Sequence, residues 1–328
     1  MIRIGLLGAG AMGTAHAAAY AGMADARVVG VFSRDAARAQ AVATICEAHP
    51  STDAARLIDH PDIDAIDVCL PTRVHAEFVI AALQAGKHVF CETPLALELG
   101  EAWEMQEAAR RAGRLLQVGL LMRSVAACRH VKDAATSGMH GRLLSVTAWR
   151  LGSYLHREGP DHKDHYGDPS TELMTFDFDL IHWLMGRPAL LSASAVRTAR
   201  GLGEISALLH YEDGRHATVT ASGLMPPGFA FTAGFRALFE HAVCEHQTVF
   251  DGDGPPTTTF TIVDGPRPAR PVPVQGRNPY QVELQHFIDC IAGRADRGLL
   301  DVAQAIEALV FSTAAQLSLA EQRPIEID

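Results

Sequence analysis

The run Gly8-Ala9-Gly10-Ala11-Met12-Gly13 constrains this chain more than any other feature. It follows the short apolar run Ile2–Leu7 and opens an Ala-rich stretch that reads as a helix to about Gly22. The G-x-G-x-x-G spacing is weak alone, because small residues abound here. Between a first strand and a first helix it gains weight. The glycines permit a tight turn and bring backbone close to a ligand. The helix start offers unpaired N–H groups to an anion. A dinucleotide pyrophosphate over Gly8, Gly10, Ala11 and Met12 is therefore expected.

The alternation continues. Arg27–Phe32, Asp64–Leu70, His88–Cys91 and Leu115–Val118 are strand-like. Asp35–Ala48, Val74–Ala85 and Glu98–Ala112 are helix-like. Strand and helix in turn predict a parallel sheet covered on both faces. Beyond about residue 120 the pattern becomes strand-rich, over Leu143–Leu151, Leu190–Arg197, Glu204–Tyr211, His216–Ser222, Phe231–Phe239, His246–Phe250 and Thr257–Val263. The Asp213-Gly214 pair marks a hairpin. Pro266–Pro273 reads as an extended crossover, and helices are predicted over Pro279–Ala292 and Asp301–Glu321. With 328 residues, two domains are expected, 1–122 and 123–328. The fold class is α/β: a Rossmann domain followed by an α/β domain on a large open, mainly antiparallel sheet.

The end of the second strand bears on which nicotinamide cofactor is preferred. An NAD site usually carries an acidic residue there, facing the ribose 2′-OH. Here Ser33 and Arg34 follow Phe32, with Arg38 one turn on. A hydroxyl and two guanidinium groups suit a 2′-phosphate. Asp35 reads as the cap of the helix starting at Ala36. NADP is expected, with NAD the alternative.

Thirty-eight acidic against 28 basic residues leave a charge of −10, which argues against nucleic acid as a partner. No uncharged apolar stretch reaches about 18 residues, so no membrane span is expected. The N-terminus lacks a signal-peptide pattern. Six scattered cysteines without a C-x-x-C pair suggest neither a disulfide framework nor a zinc site. A cytoplasmic setting is expected.

Specific motifs then accumulate. Leu70-Pro71-Thr72-Arg73-Val74-His75 is followed by Ala85-Gly86-Lys87-His88-Val89-Phe90-Cys91-Glu92-Thr93-Pro94. Later come Asp177-Phe178-Asp179-Leu180-Ile181-His182-Trp183-Leu184-Met185-Gly186 and Tyr280-x-x-Glu283-x-x-x-Phe287. With these the chain resembles the glucose–fructose oxidoreductase/inositol dehydrogenase (Gfo/Idh/MocA) family over essentially its whole length. The resemblance implies an NAD(P)-dependent oxidoreductase acting on a sugar, inositol or related polyhydroxylated or keto substrate, working as a homodimer or homotetramer. It adds Leu70, Pro71, Thr72, His75, Glu92 and Thr93 to the cofactor residues. It implies substrate contacts at Arg123, His156, Phe176 and Tyr280.

Two departures from the family pattern matter. Most members read Glu-Lys-Pro where this chain has Glu92-Thr93-Pro94, and the lysine assists proton transfer. Threonine has no pKa near neutrality and is no general base. The family's Asp-x-x-x-His pair falls on Glu172 and Phe176, so its histidine is replaced as well. His182 matches a different helix position and reads as a helix-face residue. The replacements expected for proton transfer are His165, Tyr166 and Lys163, in a polar loop upstream, with Glu172 as orienting partner. His162-x-x-His165 lacks an evident third ligand, so no metal is expected. Alternative readings are a redox-neutral lyase or hydrolase with retained cofactor, or a non-catalytic nucleotide-dependent sensor.

Overall fold

Ile2–Leu7 forms β1, whose last four residues are buried, and it sits in the middle of a parallel sheet. Its neighbours are β2 (Ala26–Phe32) on one side and β4 (Ala65–Val68) on the other. β3 (His49–Ser51), β5 (His88–Cys91) and β6 (Leu116–Val118) complete the order β3-β2-β1-β4-β5-β6. The connecting helices are α1 (Ala11–Ala21), α2 (Ala36–Ile45), α3 (Ala55–Ile58), α4 (His75–Gln84) and α5 (Leu99–Ala112). All four residues of β4 are buried, as expected for a central strand covered on both faces. The order reverses direction between β1 and β4. Crevices at such switch points, outside the carboxyl ends of the strands, are where open α/β sheets bind ligands.

The computed structural model describes residues 1–328 apart from 154, 156–167, 200, 253, 267, 274, 275 and 328. Two compact units result. The first comprises Met1–Ser124 with Arg277–Ile306, the second Val125–Gly276 with Glu307–Asp328. The chain therefore does not divide once near residues 122 and 123, as its pattern suggested. Helix α9 (Pro279–Ile291) returns to the first unit and packs on α1, where Tyr280 reaches the Met12 sulfur and Gln285 donates to Asp25.

In the second unit, β7 (Leu143–Leu151), β8 (Leu190–Thr198), β9 (Gly201–His210), β10 (His216–Ser222), β11 (Phe231–Phe239), β12 (Val243–Phe250) and β13 (Thr257–Val263) form one large sheet. Two-residue strands β14 (Arg270–Pro271) and β15 (Ile325–Glu326) finish its edges, in the order β14-β13-β12-β11-β7-β10-β9-β8-β15. All pairings are antiparallel except β7 with β10. The Pro-rich segment thus contributes an edge strand as well as a crossover, at the one place in a sheet that tolerates proline. β12 starts three residues earlier than expected. Helix α8 (Thr175–Met185) packs on β7 and β10, preceded by the short α7 (Pro169–Glu172). Against α8 lies α6 (Ala126–Ser137), a helix not anticipated above.

The last helix, α10 (Val302–Glu321), is long and apolar enough by length and composition to cross a membrane. More than half of its most apolar stretch is buried, and Glu307 pairs with Arg187 at 2.6 Å. A core helix accounts for both observations.

Candidate active site

The glycine turn assigns a separate task to each glycine. Gly8 has φ +123°, a conformation that side chains rarely adopt, and a Cβ there would lie 2.2 Å from the Cys69 carbonyl oxygen. A Cβ on Gly13 would meet the Gly8 carbonyl oxygen at 2.0 Å. Gly10 is different: nothing lies within 4 Å of its Cβ position. It is the N-cap of α1, and no side chain caps that helix. Two glycines let the turn close, and the third keeps the space in front of the helix start clear. This is the geometry of an anion cradle.

At the end of β2, Asp35 accepts hydrogen bonds from the N–H groups of Ala37 (2.9 Å) and Arg38 (3.2 Å). It caps α2, as its position in the sequence suggested. Arg34 and Arg38 are exposed, and the Arg38 guanidinium lies 3.7 Å from Asp35.

The loop after β4 and the turn after β5 are tied together by His75. One ring nitrogen lies 2.7 Å from the Leu70 carbonyl oxygen and the other 3.0 Å from that of Pro94. The side chain is buried, and burial lowers its pKa against the pull of the carbonyl oxygens of Leu70, Leu95 and Pro94. His75 therefore braces the loop Leu70-Pro71-Thr72 from inside the protein. Thr72 is itself buried. The Thr93–Pro94 peptide is cis. Thr93 donates its hydroxyl to the Gly119 carbonyl oxygen at 2.8 Å, and its N–H is 3.0 Å from Glu92 Oε2.

Beneath these surfaces lies a buried polar cluster that inspection of the motifs missed. His16, one turn into α1 beyond Gly13, places Nδ1 2.8 Å from Asp67 Oδ2 and Nε2 2.7 Å from Glu92 Oε1. His16, Asp67 and Glu283 are wholly buried, and Glu92 nearly so. Burial opposes charge on the imidazole, but Asp67 and Cys69 outweigh it and raise the pKa well above the ordinary value. His16 is thus an imidazolium held between two carboxylates. Glu92 is held from inside the protein by His16. The available signal was an aspartate in the middle of the apolar run Asp64–Leu70.

Ligand atoms of His16, Glu92 and Glu283 lie within 4.8 Å of one another. Two ligands of a tetrahedral zinc at 2.0–2.1 Å would stand roughly 3.3 Å apart. The 2.7 Å between His16 Nε2 and Glu92 Oε1 is well below that spacing, so the two stand too close together to share a tetrahedral ion.

Of the expected substrate residues, Arg123 is buried and donates to the Leu299 carbonyl oxygen (2.9 Å) and to Gln304 (3.1 Å). These two bonds tie it to the segment Leu299–Gln304 of the same unit. Tyr280 is half-buried beside Met12 and the His16 ring, whose centroid is 5.8 Å away. In the second unit Glu172 ends α7 and Phe176 lies in the first turn of α8, both half-buried. Arg150 of β7 stacks over Phe176 at 4.6 Å and grips Asp177 through bonds of 3.0 and 3.1 Å. Asp168 caps α7. His182 packs edge-on against Phe311, 3.9 Å from Glu307, as a helix-face residue would. His156, His162, Lys163, His165 and Tyr166 lie outside the described residues.

Comparison with known proteins agrees with this construction. Residues 2–120 match the model of the oxidoreductase family with an NAD-binding Rossmann fold, and 128–241 match the GFO/IDH/MocA C-terminal domain. Inositol 2-dehydrogenase 4 of Saccharopolyspora erythraea is 30% identical over 98% of this chain and 93% of its own. The inositol 2-dehydrogenase of Rhizobium meliloti is 27% identical over 99% of both. A levoglucosan dehydrogenase solved with NADH and levoglucosan has the same fold, with a TM-score of 0.83 at 22% identity, covering 100% of this chain and 99% of that one. From the glycine cradle to the large second sheet, the chain belongs to the Gfo/Idh/MocA family of oxidoreductases.

Proposed function

We propose that this protein is an NADP-dependent dehydrogenase or reductase of a cyclic polyhydroxylated substrate, moving hydride between the nicotinamide and a CH–OH or keto carbon. The observation that carries this reading is the clear anion cradle at Gly10 within a family whose relatives are sugar and inositol dehydrogenases. When bound, the cofactor supplies hydride chemistry, and the protein supplies position and one acid or base. Preference for NADP rests on Arg34 and Arg38, both exposed beside Ser33, and on Asp35 being engaged as a helix cap.

The proton-transfer group is not residue 93. The Thr93 hydroxyl is already donated to Gly119, and Phe176 offers no titratable group. Glu172, with His165, Tyr166 and Lys163 upstream, supplies the acid–base candidates. Homo-oligomer formation, in a reducing compartment that suits six free cysteines, completes the reading. The test is NADPH oxidation or NADP reduction across a panel of sugars, inositols, anhydrosugars and their keto forms. Turnover with one of these is expected, and silence across the panel would overturn the dehydrogenase reading.

The replacements at 93 and 176 favour one second reading, a nucleotide-dependent sensor. Tight NADPH binding without turnover of any panel member would establish it.

A further inference from the structure

Glu283 is the least explained residue in the first unit. It lies on α9, is 0% exposed, and neither carboxyl oxygen has a hydrogen-bond partner among the described residues. A buried carboxylate in that state would carry a heavy desolvation cost. Its surroundings add to the problem. The groups facing it are Glu92 at the end of β5, Asp67 on β4, and His16 on α1. Tyr20 and Cys69 surround the same cluster. One imidazolium already faces two carboxylates, and a third anion would be uncompensated. A proton on Glu283 removes that charge and supplies a donor.

The cluster is also mechanically connected to the crevice. Glu92 Oε1 meets His16, while Glu92 Oε2 accepts from the Thr93 N–H. Gly119 packs so close that a Cβ there would stand 3.2 Å from Glu92 Oε2, and its carbonyl takes the Thr93 hydroxyl. Whatever fixes the Glu92 carboxyl therefore fixes the 92–94 turn. His16 adds a second link, because it rides on the same helix whose start forms the anion cradle.

We propose that His16 and Glu283 are positioning residues that set the nicotinamide end of the crevice, through a buried chain Asp67–His16–Glu92–Glu283 in which Glu283 holds a proton. The proposal rests on the dinucleotide reading above. Glu283 reaches no substrate or cofactor itself; it acts through Glu92 and the Thr93 backbone. Burial and then the Glu92 charge push the Glu283 pKa well above the ordinary carboxyl range, against the opposing pull of His16.

The test combines infrared difference spectroscopy with NADPH binding followed by fluorescence, on wild type, Glu283→Gln and Glu283→Leu. At pH 7 the wild type should show a protonated-carboxyl C=O band above the amide region. It should be missing in Glu283→Gln and should shift when NADPH binds. Glutamine keeps a neutral donor, so affinity should stay within about threefold. Leucine fills the volume without a hydrogen bond, and affinity should fall about tenfold or more. A merely structural carboxyl would not give a band that moves with the ligand. Absence of the band at pH 7, a band unmoved by NADPH, or unchanged affinity in Glu283→Leu would each overturn the proposal. If Glu283→Leu does not fold, the spectra of the other two proteins decide. A wild type that binds neither NADPH nor NADH would remove the dinucleotide reading first, and the proposal with it.

Discussion

The Thr93 hydroxyl lies 2.8 Å from the Gly119 carbonyl oxygen and donates to it, so this side chain spends its only proton on the protein's own backbone. Its oxygen can still accept a hydrogen bond, but it cannot take a proton from a substrate alcohol at neutral pH. Thr93→Ala is therefore expected to cost about two- to tenfold in kcat/KM, the worth of one neutral hydrogen bond. Glu172→Gln should cost far more if Glu172 serves or orients the proton-transfer group, about 10²–10⁴-fold. Equal effects of the two substitutions in steady-state kinetics would refute this division of roles.

Gly10 and Gly13 should fail in opposite ways. A side chain at Gly10 enters open space, and the residue has φ −90°, which any amino acid tolerates. Gly10→Val should keep its thermal midpoint and lose NADPH binding. Gly13→Ala puts a Cβ 2.0 Å from the Gly8 carbonyl oxygen, a backbone atom that cannot swing aside. It should lower the thermal midpoint as well as affinity. Calorimetry and scanning fluorimetry on both variants separate the ligand-facing glycine from the fold-closing one.

Arg34 is exposed just after β2, and the proposed preference for NADP depends on it. NADPH should bind more tightly than NADH, and Arg34→Ala should reduce that preference about tenfold. Titration of both cofactors against both proteins is sufficient. Equal wild-type affinities would return the site to NAD.

Breaking the Arg150–Asp177 pair should test how the second unit is held. Both side chains are buried, and Arg150 also stacks on Phe176. Asp177→Ala removes a buried acidic partner of this guanidinium, a loss of roughly 3–5 kcal/mol. Urea denaturation measures it directly. A change below about 1 kcal/mol would show that the arginine finds another partner.

Local patterns were the legible part of this molecule. The glycine turn, the Asp35 cap and most strands of the second sheet follow from neighbouring residues, and the structure keeps them. Helix α6 was legible but overlooked: Ala127, Cys128, Val131 and Ala134 are buried at helical spacing. What could not be read depends on long-range contacts. The parallel pairing of β7 with β10 joins segments about seventy residues apart, and an alternating strand looks the same whichever direction its neighbour runs. His16, Asp67, Glu92 and Glu283 come from four different elements. No spacing rule links them, and a lone aspartate in an apolar strand signals only that a partner exists somewhere. Arg123 makes the same point: its bonds to Leu299 and Gln304 bridge more than 170 positions, and no local pattern marks them.

The last prediction concerns acid stability. His246 on β12 is 4% exposed, packed beside Phe235 and Phe260, and burial lowers its pKa to about 4. His88 at the start of β5 is also lowered to about 4, by burial and then by the charges of Arg114 and Arg297. In the unfolded chain each imidazole titrates near 6.5. Between these values the unfolded state holds a proton that the native state refuses, so ∂ΔG/∂pH is positive and stability rises with pH across the window. The stabilisation is complete above about pH 6.5 and is lost as the pH falls toward 4. For the buried His246 the full loss is roughly 3 kcal/mol, and for the half-buried His88 it is smaller. Urea midpoints measured between about pH 4.5 and 7 should fall with acidity, and His246→Leu should flatten that slope while keeping the apolar packing. An unchanged slope in His246→Leu would mean that β12 opens to admit the proton before the unit unfolds, and hydrogen exchange at the β11–β12 pairing would then show early loss of protection.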